Sequence, residues 1–211
     1  MLIIGADPGG EGAFGLAIVR VKGKALVEAL RETVDSVDDA LAWFKESLKG
    51  ETPSAAGIDT FLTWATSRAG WRPQDELLRS EYSSVSNSVF ASNSAFGSMA
   101  IQGMALALEL RRLWPGIMLN ETHPKVLYFQ QSQQKYSWGQ GMRRWLEKAL
   151  GMPSAFGNVD SHQFDALLSA WATAHCCGGL TPAWTHDLRN EAKNLIEPVG
   201  QTHYFWPTAV R

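Results

Sequence analysis

The sequence predicts an α/β fold: a mixed five-stranded sheet, three antiparallel strands followed by two parallel strands reached through helices, with helices on both faces. Three observations carry this expectation. The chain opens on three apolar runs separated by two short turn clusters. Helical patterns then alternate with short apolar runs, each of which ends on an acid. The chain has 211 residues, 45% hydrophobic and 19% charged, which suits one domain with a sizeable core and excludes disorder as its main state.

Leu2 to Ala6 reads as a short buried strand, and Pro8-Gly9-Gly10-Glu11-Gly12 is dense turn chemistry. Ala13 to Val21 is the second apolar run, Lys22-Gly23-Lys24 the next turn, and Ala25 to Thr33 the third run, so these strands form a meander. Ser36 opens a helix with Asp39 three residues on. Val37, Leu41, Phe44 and Leu48 supply its apolar stripe, and Gly50 ends it. Ser54 to Ile58 is a fourth strand ending on Asp59. From Thr60 to about Ala95, Ser, Asn, Arg and Trp replace aliphatic residues, and so long a polar connection is usually functional or disordered. Met99 to Leu113 is an apolar helix stopped before Pro115-Gly116. Ile117 to Leu119 is a fifth strand ending near Glu121. Helices are expected from Tyr136 to Leu150 and from Asp160 to about Cys176. The tail from Thr181 reads as a helix followed by a strand around His203 to Trp206. The domain organisation is thus one domain over 1–211, with a polar insertion at about 60–95 and a C-terminal extension from about 180.

A net charge of -2 and a pI near 6.2 exclude a generally basic nucleic-acid coat, though not a local basic groove. The apolar run at the start, Met1 to Ile4, is too short for a signal peptide, and no segment reaches the roughly 18 apolar residues of a membrane span. The two cysteines, Cys176 and Cys177, are adjacent, a spacing that favours neither a bridge nor a zinc site. The expectation is a cytoplasmic protein with reduced thiols and no membrane partner.

Three acids end three different strands: Asp7, Asp59 and Glu121. In an open α/β sheet these strand ends share one edge, where ligands collect. Two carboxylates about 4 Å apart repel by about 4 kcal/mol at an effective dielectric of 20, so a fold that gathers them must protonate one or bind a cation. Hard oxygen ligands favour magnesium, manganese or calcium. On the last long helix, Asp160 with Gln163 fits an N-terminal capping box. His162 and Asp165 share a face, and Phe164, Leu168, Trp171 and His175 form an apolar stripe on another. Asp165, set among Phe164, Ala166, Leu167 and Leu168, needs a partner.

These residues carry a resemblance. Leu2-Ile3-Ile4-Gly5-Ala6-Asp7-Pro8-Gly9, followed by Gly12 and Gly15, resembles the opening strand and turn of RuvC-type Holliday-junction resolvases. Asp160-Ser161-His162-Gln163-Phe164-Asp165-Ala166-Leu167-Leu168-Ser169-Ala170 is similar to their last catalytic helix. With Gly57-Ile58-Asp59-Thr60-Phe61-Leu62 and Glu121-Thr122-His123-Pro124, the ordered set also resembles an uncharacterised family of predicted RNase H-like nucleases. The resemblance implies an RNase H-like fold and phosphodiester hydrolysis with two divalent cations, Mg2+ or Mn2+. It implies Asp7, Asp59 and Asp165 as metal ligands, Asp7 bridging both ions, and His162 as ligand or proton-transfer group. Resolvases usually carry glutamate on the fourth strand where this chain has the shorter Asp59, and their pattern has no obvious counterpart of Glu121, which joins the catalytic candidates here. Holliday junctions are therefore not assumed as the substrate.

Trp64, Arg68, Trp71, Arg72, Arg79 and Tyr82 lie in the polar insertion, and aromatic faces beside guanidinium groups suit unpaired bases and phosphates. Trp71, Arg72 and Lys125 are the candidate substrate contacts, with nucleic acid as the partner. DNA and RNA, branched and unbranched strands, and monomer and homodimer all stay open. Two other readings compete: a non-catalytic nucleic-acid-binding module of the same fold, and an actin- or sugar-kinase-like phosphotransferase. The second lacks room for another such domain and a second glycine-rich phosphate loop.

Overall fold

A computed structural model describes residues 1–94, 97–152, 158–191 and 195–207. Its centre is a five-stranded sheet of β1 (Leu2–Asp7), β2 (Phe14–Lys22), β3 (Ala25–Val34), β4 (Ala55–Ile58) and β5 (Met118–Glu121), in the spatial order β3-β2-β1-β4-β5. β1, β2 and β3 pair antiparallel. β4 joins β1 in parallel, Gly5 opposite Gly57, and β5 joins β4 in parallel, Ile58 opposite Glu121. The mixed sheet expected from the three hairpin runs and two helical crossovers is the one that forms.

Side-chain alternation sorts the sheet into two faces. Leu2, Ile4 and Ala6 of β1, Phe14, Leu16 and Ile18 of β2, and Ala56 and Ile58 of β4 pack on one side. Covering them are α1 (Val37–Leu48), through Ala40, Leu41, Phe44 and Leu48, and α3 (Ser98–Leu113), through Leu106, Ala107 and Leu110. Ser36 caps α1 by accepting from the Asp39 amide, and Lys49 ends the helix in the left-handed region at φ 50°. The opposite parity, Ile3 of β1, Ala17, Val19 and Val21 of β2 and Ala55 of β4, faces α6 (Ser161–Cys176). Here the sheet is lined with glycine. A Cβ on Gly5 would collide with the Ala166 carbonyl oxygen, and one on Gly57 with that of Ser169, so the helix backbone rests directly on the strands.

On its outer side α6 carries Phe164, Leu167, Leu168 and Trp171. They pack under α4 (Pro124–Ser132) and α5 (Gln140–Leu150) through an aromatic cluster that includes Tyr128, Tyr136, Trp138 and Trp145 around Phe164. The helix expected from Tyr136 begins only at Gln140, because Tyr136 and Trp138 serve this cluster ahead of the first turn. Helix α4 was not expected, although Pro124 at its first position is a helix-start signal.

The polar connection after Asp59 is folded over its described residues. It holds a two-residue strand (Trp64–Ala65) paired with Leu195–Ile196, then α2 (Pro73–Glu81) and short 3-10 turns at Ser83–Ser88 and Ser92–Ser94. In the tail the strand expected around His203 to Trp206 forms as Phe205–Trp206, but the helix expected before it does not: among the described residues, no α-helix follows Thr181. His186–Asp187 instead pairs with Phe205–Trp206, and a 3-10 turn covers Leu188–Glu191. Tertiary pairing decides this. The Asp187 carboxylate accepts from the amides of Arg189 and Tyr204 and lies 2.8 Å from Nδ1 of His203. His203 extends the sheet beside Asn120, and the Trp206 indole donates to the Tyr82 hydroxyl, which fixes the tail against the insertion.

Candidate metal centre

The period-two alternation that sends Ile3 and Gly5 toward α6 sends Asp7 the same way. On the neighbouring strand Ala55 and Gly57 do the same for Asp59, whose amide continues the parallel ladder by donating to the Ala6 carbonyl at 2.9 Å. The glycine floor lets α6 come close enough for Asp165, in its second turn, to meet both. One carboxylate oxygen from each of Asp7, Asp59 and Asp165 lies within 4.8 Å of the others.

Burial dominates the electrostatics of this triad. Asp7 is 9% exposed and Asp165 4%. Burial pushes the Asp59 and Asp165 carboxyls well above the usual carboxylate range, and the Asp7 charge adds to both. Burial also raises Asp7, against the lowering effect of His162. Oδ1 of Asp165 and the Tyr136 hydroxyl are buried and make no well-formed hydrogen bond among the described residues, although Tyr136 stands near enough to Asp165 to favour its carboxylate. Burial first, then the Asp165 charge, raises the Tyr136 hydroxyl. A buried oxygen without a well-formed hydrogen bond, in a triad of mutually repelling acids, is an environment that a divalent cation would satisfy.

Three basic groups surround the acids. Nδ1 of His162 lies 2.8 Å from Oδ2 of Asp7, and that hydrogen bond raises the half-exposed imidazole above its ordinary value. His123, which caps α4, places Nδ1 3.9 Å from Oδ1 of Asp59, while burial pushes its pKa down to about 4. Exposed Lys125 stabilises the charged form of all three aspartates, and its Nζ stands 5.7 Å from the centroid of the Tyr136 ring. His123 and Tyr136 were not anticipated as site residues. The signal for His123 was its place two residues past the end of β5; Tyr136, whose position depends on packing around Phe164, had no local signal.

Asp160 is the helix cap: its Oδ1 accepts from the Gln163 amide at 2.8 Å and its Oδ2 from the Thr33 hydroxyl at 2.6 Å. Glu121 lies outside the triad for a reason of register. It has the parity of Leu119, which faces α3, whereas Asn120 faces α6 and donates to the Thr173 hydroxyl. The Glu121 carboxylate is taken up elsewhere. Arg72 donates to it at 2.9 and 2.5 Å, and the Leu62 amide at 2.9 Å.

Arg72 corrects an expectation. Only 1% exposed, it donates to both oxygens of Asp75, both of Glu121, and the carbonyl and hydroxyl of Thr63. Against burial, which favours the neutral form, the Glu121 and Asp75 charges hold the guanidinium above its ordinary value. Arg72 therefore ties the insertion to the end of β5 and has no donor left for a phosphate. Trp71 is half-buried, with the Arg79 guanidinium 4.9 Å from its ring centroid, and it does not line the cavity that opens beside Asp59.

No family model matches the sequence, and no curated protein matches it. Among solved structures, the chain is similar to Thermus thermophilus RuvC, 17% identical over 85% of this chain and 98% of that one, with a TM-score of 0.50. A structure titled T. thermophilus RuvC in complex with Holliday junction substrate is 19% identical over 81% of this chain and 91% of that one, with a TM-score of 0.48. The fold is RNase H-like, of the RuvC type.

Proposed function

We propose that this chain is a divalent-metal-dependent nuclease, hydrolysing phosphodiester bonds of nucleic acid with two Mg2+ or Mn2+ ions held by Asp7, Asp59 and Asp165. The observation that carries the reading is the triad itself: one carboxylate oxygen from each of three acids within 4.8 Å, with Oδ1 of Asp165 buried and without a well-formed hydrogen bond among the described residues. The donor set is all hard oxygen, as magnesium and manganese require. Two such ions, when bound, supply an activated water and charge stabilisation for the leaving oxygen.

The chain's own residues have distinct parts. Asp7, beside Asp59 at the end of the adjacent strand and facing Asp165 on α6, is the residue we assign to hold both ions. His162 donates Nδ1–H to Asp7, which keeps the ring protonated further toward neutral pH and leaves Nε2 as the atom that exchanges a proton with the reacting strand. Lys125, exposed beside the triad, meets the phosphate next to the cut. Glu121 is a positioning residue: by holding the Leu62 amide it fixes the chain just after Asp59. Trp71 remains a candidate contact at the edge of the insertion. Among the described residues, no helix is long and apolar enough to cross a membrane, and both cysteines are free; we place the protein in the cytoplasm.

A second reading, strand binding without cleavage, is favoured by one feature: His162 already engages an oxygen of Asp7. Manganese titration and cleavage assays on DNA and RNA strands, with and without chelator, separate the two. Metal binding together with chelator-sensitive cutting, both lost in Asp7→Asn, is expected. Strand binding with neither metal uptake nor cutting would establish the second reading instead.

A further inference from the structure

Beside the triad, between the end of β4 and the insertion, lies a cavity of about 230 Å³ whose lining includes Asp59 and Lys125. Arg72, Asp75 and Glu121, held in their own ion pairs, line one part of it, and another part is of a different character. Phe61, Val89, Phe90 and Met99 line it, with the polar groups of Asn87 and His123 among them. Phe90 is 57% exposed, an aromatic ring left largely to water at the side of a charged centre.

From this juxtaposition we infer that the cavity receives a single unpaired nucleobase of the strand being cut, the base of a nucleotide whose phosphate lies between Lys125 and the triad. The inference rests on the nuclease reading and adds to it what the strand must present. A base offers two flat faces and a polar edge. It is held by aromatic or thioether walls on the faces and by donors and acceptors on the edge. Phe90 and Met99 supply the first kind of group, Asn87 and His123 the second. Because Asp59 and Lys125 belong to both the cavity and the metal centre, a phosphate at the centre and a base in the cavity are within one nucleotide's reach. A base stacked inside a duplex cannot enter. The substrate is therefore single-stranded at the cut, or distorted enough there to turn a base out.

The test is an affinity series with calcium in place of magnesium to suppress cutting. It uses a short deoxyoligoadenylate and the same strand with one abasic residue moved along it. The intact strand is expected to bind about tenfold more tightly than the strand abasic at one particular position, as loss of one stacked base implies. Phe90→Ala should erase that difference while leaving manganese affinity unchanged, and Phe90→Trp should restore it. Equal affinity of intact and abasic strands, with metal binding and cutting preserved, overturns the base pocket and leaves the nuclease reading standing. Metal uptake without any strand binding or cutting overturns both.

Discussion

The carbonyl oxygen of Ala166 occupies the space that a Cβ on Gly5 would need. This contact, one residue along the helix from Asp165 and two along the strand from Asp7, sets how closely α6 approaches the sheet, and hence whether the acids meet at all.

Gly5→Ala should therefore lift α6 from β1. The expected cost is at least about 1–3 kcal/mol of stability from overpacking, together with weakened manganese binding in the protein that still folds. Gly116→Ala, where a Cβ would meet nothing within 4 Å, is the control and should leave both unchanged. Thermal melts and manganese titration on the two variants make the comparison, and a metal-binding Gly5→Ala protein of parental stability would contradict it.

Asp165→Asn should raise the melting temperature of the metal-free protein, because it removes a buried charge that Asp7 and Asp59 repel. The same variant should lose most of the stabilisation that added manganese gives the parent. Two melts, with and without metal, decide it.

The metal-free protein should lose stability as pH rises from the ordinary aspartate value of 3.8 through the raised folded values of Asp59 and Asp165. The sign follows from linkage. The folded state holds these protons to higher pH than the unfolded chain does, so their contribution is complete below the unfolded pKa and disappears above the folded one. His162, also raised, pulls in the same direction as it deprotonates. Saturating magnesium should flatten this slope. Denaturant melts across pH, in chelator and in magnesium, measure it, and an unchanged slope would argue against a cation among these acids.

Arg72→Ala should cost about 3–5 kcal/mol, since it strands the Glu121 and Asp75 carboxylates in the interior. Any loss of nucleic-acid affinity should track the unfolded fraction, with no change in the salt dependence of binding by the folded protein, because no phosphate contact is removed. A shallower salt slope in folded Arg72→Ala would return this residue to the strand.

The sheet was legible because its signals are local. Three apolar runs split by Gly-rich turns can only zigzag, and short apolar runs between helical stripes need crossovers. Asp7, Asp59 and Asp165 were legible for a related reason: each stands where an apolar element ends or turns polar, and such a site needs a physical explanation. Glu121 satisfied the same local rule, and strand parity alone sent it to the other face, where Arg72 holds it. Arg72 and the tail from Thr181 depended on partners far away in sequence: Glu121 for the first, His203 and Phe205 for the pairing around Asp187. Tyr136 and His123 reached the centre through packing around Phe164 and the start of α4. Local pattern thus determined the five-stranded sheet and the three acids. Only the tertiary structure decided which polar groups share the centre, because a side chain's face and its buried partner depend on register and on contacts that no short stretch of sequence contains.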